Sequence, residues 1–416
     1  MLLLAVFEAL AAYLLSIELC KGELCRGLPD RPAFLAIALL MISPVFFAQS
    51  MLAQLDGPAL LFTCLSLLLF LQDRPLAAAV ASTALVLVKE TGVVVPFVFA
   101  IWLVCERRWR QAAWFAGPVL VLCLWVVFLL RQTGHWAGNA GFVQYNLDYP
   151  LHSARFAVSL LRRLYYLFVA NFHWIGTAAI IYGWRKGLFT SRSWCVAWTL
   201  AFAHVVLVTG LGGAVLDRYL LPILPFVYAA MAAGLSLCPP LCRRVCSVAL
   251  LACLATGNWI NPPYPFPYED NLAFTDFLKL HKEAAAYLAR RYPGARIGTV
   301  WPLTAELSRP ELDFTNRPMA VRSLPDLAAP TLQTLDWDSI QVLVAFSRDW
   351  DPPSNPFHSA TIAGFWQKIY SEERSLNVRR EMIPALVPFF IAGRFERHAQ
   401  WVDIYVNPHM MNDHGY

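Results

Sequence analysis

Apolar residues run almost without a break from residue 1 to about residue 260, and the remaining 156 residues of the 416 read as an ordinary globular stretch. Only 15% of the chain is charged and 58% is hydrophobic, against roughly 25% charged residues in soluble domains. Repeated runs of this length and composition suit a bilayer, where the backbone must satisfy its own hydrogen bonds as helices or closed barrels. The expected fold is therefore a polytopic α-helical membrane domain over 1–260, followed by a C-terminal α/β domain over 261–416. About ten passes are read, at 1–20, 33–49, 57–72, 75–88, 91–104, 112–130, 164–183, 195–214, 219–238 and 245–260.

Basic residues cluster in alternate loops: Lys21/Arg26/Arg31, Arg74, Arg107/Arg108/Arg110, Arg185/Lys186/Arg192 and Arg243/Arg244. By the positive-inside rule these loops are cytoplasmic. The opposite, extracytoplasmic face then receives Asp56, Lys89/Glu90, loop 131–163, Asp217/Arg218 and the C-terminal domain. The net charge of +5 is thus loop topology, and nucleic acid is not an expected partner. Arg155, Arg162 and Arg163 oppose that reading, and are taken as an interfacial helix with Tyr165 and Tyr166 in the headgroup region. The loop also holds His135, Trp136, Tyr145, Asp148, Tyr149 and His152, and reads as a lid over a cavity or as an interface loop.

The ten cysteines all lie at or before residue 253, so the C-terminal domain holds no disulfide. Cys238, Cys242 and Cys246 stand four apart. They read as small apolar residues at a helix end in preference to a metal or redox stripe. In the C-terminal domain, Asn261–Tyr268 is a proline-rich linker. Thr275–Arg291 reads as a helix, Arg296–Trp301, Ile340–Phe346 and Trp401–Asn407 as strands, and Phe357–Tyr370 as a further helix.

Charged residues sit at three pass ends on the expected outer face: Asp56 in the hinge Gln49–Phe62; Lys89 with Glu90; Asp217 with Arg218 and Tyr219. Asp56 precedes Gly57-Pro58, so it reads as a helix N-cap or as a site acid at the mouth of an intramembrane cavity. The other clusters read as interfacial ion pairs or as a phosphate site. Arg offers a planar fork and Lys a point charge for such a group. A carboxylate there could hold a divalent metal or accept a proton from a hydroxyl.

The runs SPVFFAQSMLAQLDGPALLF, LVKETGVVVPFVFAIWL and LDRYLLPILPFVYAAMAAGL, in that order, resemble the membrane core of the GT-C glycosyltransferases. They are most similar to the bacterial family 39-like branch (protein mannosyltransferase / lipid A aminoarabinose transferase-like). The stretch YEDNLAFTDFLKLHKEAAAYLARRYPGARIGTVWPLTAEL resembles the tail of some of these proteins. The resemblance implies a transferase in the bacterial inner (plasma) membrane. It would pass a sugar from a polyprenyl-phosphate donor to a lipid, glycan or protein acceptor by inverting displacement. Asp56 would be the family's second acid, on the acceptor or metal side. Lys89 and Arg218 would contact the donor phosphate, with Glu90, Asp217 and Tyr219 supporting them. Residues 1–20 match the helix after the family's first external loop, so the first helix and the catalytic acid of that loop are expected to be missing from this chain. The alternatives are a catalytically incomplete protein that binds or transports polyprenyl phosphate, and a structural partner of another envelope protein.

Overall fold

The computed structural model describes residues 2–21, 31–136, 153–211, 216–350 and 380–408. The expected helix Phe357–Tyr370 and the loop residues Tyr145, Asp148, Tyr149 and His152 lie outside the described residues. The chain divides into two compact units, one of Met1–Ile260 with Glu269–Asn271, the other of Asn261–Tyr268 with Leu272–Tyr416.

The first unit is helical. Its helices are α1 (Leu2–Leu19), α2 (Arg31–Ile42), α3 (Pro44–Met51), α4 (Asp56–Leu71), α5 (Pro75–Val88), α6 (Val94–Cys105), α7 (Ala116–Thr133), α8 (Ser153–Phe168), α9 (His173–Arg185), α10 (Arg192–Leu211), α11 (Leu224–Ser236) and α12 (Pro240–Thr256). Among the described residues four helices are long and apolar enough to cross a membrane, and up to six if each of two bent pairs is one span. That is fewer than the ten passes expected, because breaks divide the apolar runs. Pro44 lacks the N–H that would continue α2, and α2 and α3 meet at 62°. Lys89 is extended between α5 and the short 3-10 turn Glu90–Val93 that leads into α6. Asn171 and Phe172 take left-handed backbone conformations where α8 gives way to α9, a bend of 43°.

Helix α11 is the axis of this unit, with every residue from Leu224 to Leu235 buried. It packs against α2 and α9. Gly234 permits the close approach to α9, since a Cβ there would lie 2.3 Å from the Ala179 carbonyl oxygen. His173 on α9 ties the same contact, with Nδ1 2.8 Å from the Tyr166 carbonyl and Nε2 3.1 Å from the Tyr228 hydroxyl. Helix α4 lies between α1 and α5.

Helix α8 is amphipathic, and two of its three arginines point into the protein. Arg163 is fully buried. It donates to Ser159 Oγ and, at 2.9 Å, to the Val208 carbonyl of α10. Arg155 is also buried, and of the two tyrosines only Tyr165 is exposed. A buried Arg needs acceptors on a neighbouring element, and α10 supplies one. The Cys242 and Cys246 sulfurs lie 3.9 Å apart on α12, both free.

The second unit is a small α/β fold. Its sheet has the order β2-β1-β3-β5-β4, from β1 (Ile297–Thr299), β2 (Val321–Ser323), β3 (Val342–Phe346), β4 (Phe390–Arg397) and β5 (Gln400–Val406). Strands β2, β1 and β3 are parallel, and β5 and β4 add an antiparallel hairpin. The three expected strands correspond to β1, β3 and β5. Strand β2 is exposed at its last two residues, so no buried apolar run marks it. Helix α13 (Ala273–Arg291) packs Leu280, Ala284 and Leu288 into the same core as β3 and β5.

Candidate functional site

Asp56 opens α4 but does not cap it. The capping position is Leu55, in a helical conformation, and no side chain caps the helix. The Asp56 carboxylate, only 3% exposed, instead faces two cations brought by other elements. Lys89 Nζ donates to Oδ1, and Arg218 Nε stands 3.7 Å from Oδ2. The extended backbone at Lys89, where α5 stops, aims the ammonium back across the unit to α4. Arg218 arrives on the 3-10 turn Asp217–Ile223 that leads into α11. Gly57 leaves room for the buried Glu8 carboxylate of α1, since a Cβ at 57 would lie 2.5 Å from Glu8 Oε1.

Tyr219 forms a wall of the cluster. Lys89 Nζ lies 4.2 Å and the Arg218 guanidinium 5.5 Å from its ring centroid, a cation–π arrangement that favours both charges. His204 Nε2 is 2.8 Å from the Tyr219 carbonyl oxygen and so anchors the turn to α10.

Glu269 closes the far side. Its carboxylate is 3.1 Å from Arg218 Nη1 and accepts from Gln54 Nε2 at 2.6 Å. Its backbone carbonyl accepts from Gln49 Nε2 at 3.0 Å, and Gln54 Oε1 accepts from Arg218 Nη1. Two cations therefore face two carboxylates in a half-buried cluster. One strong donor is left over: Arg218 Nε is buried and has no hydrogen-bond acceptor. A buried, unsatisfied guanidinium N–H is costly, and an anion beside Lys89 and Arg218 would satisfy it.

Of the expected residues, Asp56, Lys89, Arg218 and Tyr219 converge. Among the described residues Glu90 and Asp217 form no ion pair with Lys89 or Arg218. Glu90 is exposed and makes no hydrogen bond or ion pair among the described residues, and the buried Asp217 Oδ1 has no hydrogen-bond partner. Asp270, beside Glu269, is buried with both oxygens unpartnered. Burial holds its carboxyl well above the usual range, and the charges of Asp217 and Glu269 add to that effect. Glu269, Gln54, Gln49 and Asp270 were not singled out from the sequence; the one sequence sign was the acid pair Glu269-Asp270 after the proline-rich linker. Among the described residues no three His, Cys, Asp or Glu side chains converge to hold a metal ion.

No protein-family model matches the chain, and no curated protein does. Solved structures do. The crystal structure of ArnT from Cupriavidus metallidurans bound to undecaprenyl phosphate superposes with a TM-score of 0.52, covering 97% of this chain and 83% of that one at 11% identity. The protein has the GT-C fold. The single-particle structure of the mycobacterial arabinofuranosyltransferase AftD aligns with 97% of this chain and 33% of that one, at 14% identity and a TM-score of 0.41, too low to carry an argument. With the GT-C fold and its apolar helices, this is a multi-pass membrane protein.

Proposed function

We propose that the protein is a membrane glycosyltransferase that uses a polyprenyl-phosphate-linked sugar donor. The observation that carries this reading is Arg218, whose Nε–H lacks an acceptor beside Lys89 in a half-buried cluster. ArnT, of the same fold, was solved with undecaprenyl phosphate bound. In the reaction an acceptor hydroxyl attacks the anomeric carbon, the bond from that carbon to the phosphate oxygen breaks, and the configuration inverts. Polyprenyl phosphate departs with the bonding pair, and the proton of the acceptor hydroxyl passes to the Asp56 carboxylate as its cations turn to the phosphate. Lys89 and Arg218 stabilise the charge that grows on the phosphate, the kind of electrostatic help that matters most in a dry site. Asp56 holds both cations before the donor binds and lies on the acceptor side once they turn to the phosphate. The acceptor is a lipid, glycan or protein hydroxyl.

The site faces the extracytoplasmic side of the bacterial inner membrane, and the C-terminal domain lies on that side. The basic loops at the other helix ends support this orientation. A membrane-impermeant thiol reagent should label Glu311→Cys in intact cells above the level of the parent protein. Protection of that residue would reverse the orientation.

The test of function is sugar transfer from a polyprenyl-phosphate-sugar by the purified protein. Arg218→Gln should lower turnover by roughly 10²–10³-fold, the range for removing one charge-stabilising donor. Unchanged turnover in that variant sinks the assignment. A second reading is favoured by the ion pairing of both site carboxylates, Asp56 and Glu269, with cations. A protein without a free base would bind the donor lipid and release it unreacted, so retained binding with no turnover in the parent protein selects that reading.

A further inference from the structure

Two open apolar grooves flank α10, and the first runs along α6 to its end away from Lys89. The first, of about 440 Å³, runs between α6 and α10 along Phe97, Ile101 and Cys105 on one side and Thr199 and Ala203 on the other. The second, of about 450 Å³, is formed by Trp184, Phe189, Trp198 and the same Thr199. Thr199 is thus the ridge at which the two meet. From Phe97 to Glu106 the first groove spans nine helical steps, about 14 Å at 1.5 Å each. That is close to half of a ~30 Å hydrocarbon core, the depth of one leaflet.

The rim of these grooves is strongly basic. Arg107 and Arg110 follow the end of α6, Arg185 and Lys186 end α9, and Arg192 opens α10. Glu106 takes up two of the local cations, Arg192 at 2.8 Å and Arg108 at 3.5 Å, and Arg108 also pairs with Asp73. Arg107, Arg110 and Arg185 are exposed and their side chains have no acidic partner among the described residues, while Lys186 lies 5.7 Å over the Tyr182 ring. An apolar slot of one leaflet's depth with a second apolar groove beside it, under a rim with unneutralised positive charge, matches one class of molecule: two acyl chains joined at a phosphate that keeps a net negative charge.

We infer that the grooves on either side of Thr199 bind one anionic glycerophospholipid, its two chains in the two slots and its phosphate among Arg107, Arg110, Arg185 and Lys186. Basic pockets between membrane helices on the cytoplasmic side are suited to such headgroups. This lipid sits in the leaflet opposite the Asp56 cluster, so the inference does not depend on the proposed transfer reaction.

The experiment is native mass spectrometry of the full-length protein, equilibrated in mixed micelles with equal amounts of phosphatidylglycerol and phosphatidylcholine of identical chains. One phosphatidylglycerol should be retained per chain, at least about tenfold over phosphatidylcholine. Arg110→Glu with Lys186→Glu, both exposed positions, should abolish that preference. Thr199→Trp, which fills the point where the slots meet, should lower retention of both lipids. Arg218→Gln, at the opposite face, should leave the preference for phosphatidylglycerol over phosphatidylcholine in place. Equal retention of the two lipids by the parent, or undiminished phosphatidylglycerol on the doubly reversed variant, overturns the inference. Loss of the lipid on Arg218→Gln would place it at the opposite face and overturn it as well.

Discussion

Each unit holds a buried aspartate facing arginine, and the two pairs are built differently. In the α/β unit, Asp403 is fully buried, and Arg380 grips it with both arms of its fork, Nε to Oδ2 at 2.9 Å and Nη2 to Oδ1 at 2.7 Å. Arg380 also reaches Glu396 at 2.9 Å and lies 5.1 Å over the Trp401 ring. In the helical unit, Arg218 approaches Asp56 only with Nε at 3.7 Å, beyond hydrogen-bond range. The first pair is closed on itself and holds strands together. The second is left open, with a donor free for an anion. Burial and charge alone therefore do not tell these two pairs apart; the hydrogen bonding of the guanidinium does.

The largest effect should come from breaking the closed pair. Arg380→Ala strands the Asp403 charge in the core, at a cost of ~3–5 kcal/mol for a buried pair reduced to one partner. Thermal unfolding of the full chain should then show the α/β unit melting on the order of 10 °C earlier. A shift within error of zero would mean that Arg394, 3.8 Å from the same carboxylate, can replace Arg380. Arg218→Gln should leave the unfolding temperature almost unchanged, because Asp56 keeps Lys89, and so widen the contrast between the pairs.

A smaller effect is expected at Gly57. A methyl there would press on Glu8, and overpacking of this kind costs roughly 1–3 kcal/mol. Gly57→Ala should lower both thermal stability in detergent and sugar transfer, because the strained position adjoins Asp56 in α4. Full transfer activity with normal stability would show that Glu8 has room to move.

Asp270 gives the smallest effect, with the opposite sign. Its carboxyl is raised in the folded protein. The unfolded chain releases the proton near the ordinary value of ~4, while the folded chain still holds it. Stability is therefore lost as pH rises from that value towards the raised one. Asp270→Asn should stabilise the protein at neutral pH by ~1 kcal/mol and flatten the pH dependence of its unfolding, the usual scale for relieving one unsatisfied buried group. If the variant is less stable at pH 7 than the parent, Asp270 has a partner that its present surroundings do not reveal.

Much of the site was legible because the membrane makes charge conspicuous. Asp56, Lys89 and Arg218 each interrupt an apolar run, and burial of such residues demands a reason. Glu269 was not legible. It stands 215 positions after Gln54, in a polar stretch where an acid attracts no notice. Arg163 misled in the other direction, since an amphipathic helix with basic residues reads as interfacial, and only its neighbour α10 shows that the charge points inward. In the α/β unit the long buried strands β3 and β5 stood out as apolar runs. Strand β4 alternates on a partly exposed face, and its two-residue connection to β5, His398-Ala399, has positive φ without the glycine or asparagine that usually marks such a turn.

The central claim is that Lys89 and Arg218 form an open anion site for a polyprenyl phosphate. The most direct measurement is the dissociation constant of undecaprenyl phosphate for the purified full-length protein, compared with Arg218→Gln and Lys89→Ala. Each substitution removes a charge-assisted contact, so binding should weaken by roughly 10- to 100-fold, as expected for ~1.5–3 kcal/mol. Equal affinity in the parent and both variants would contradict the account.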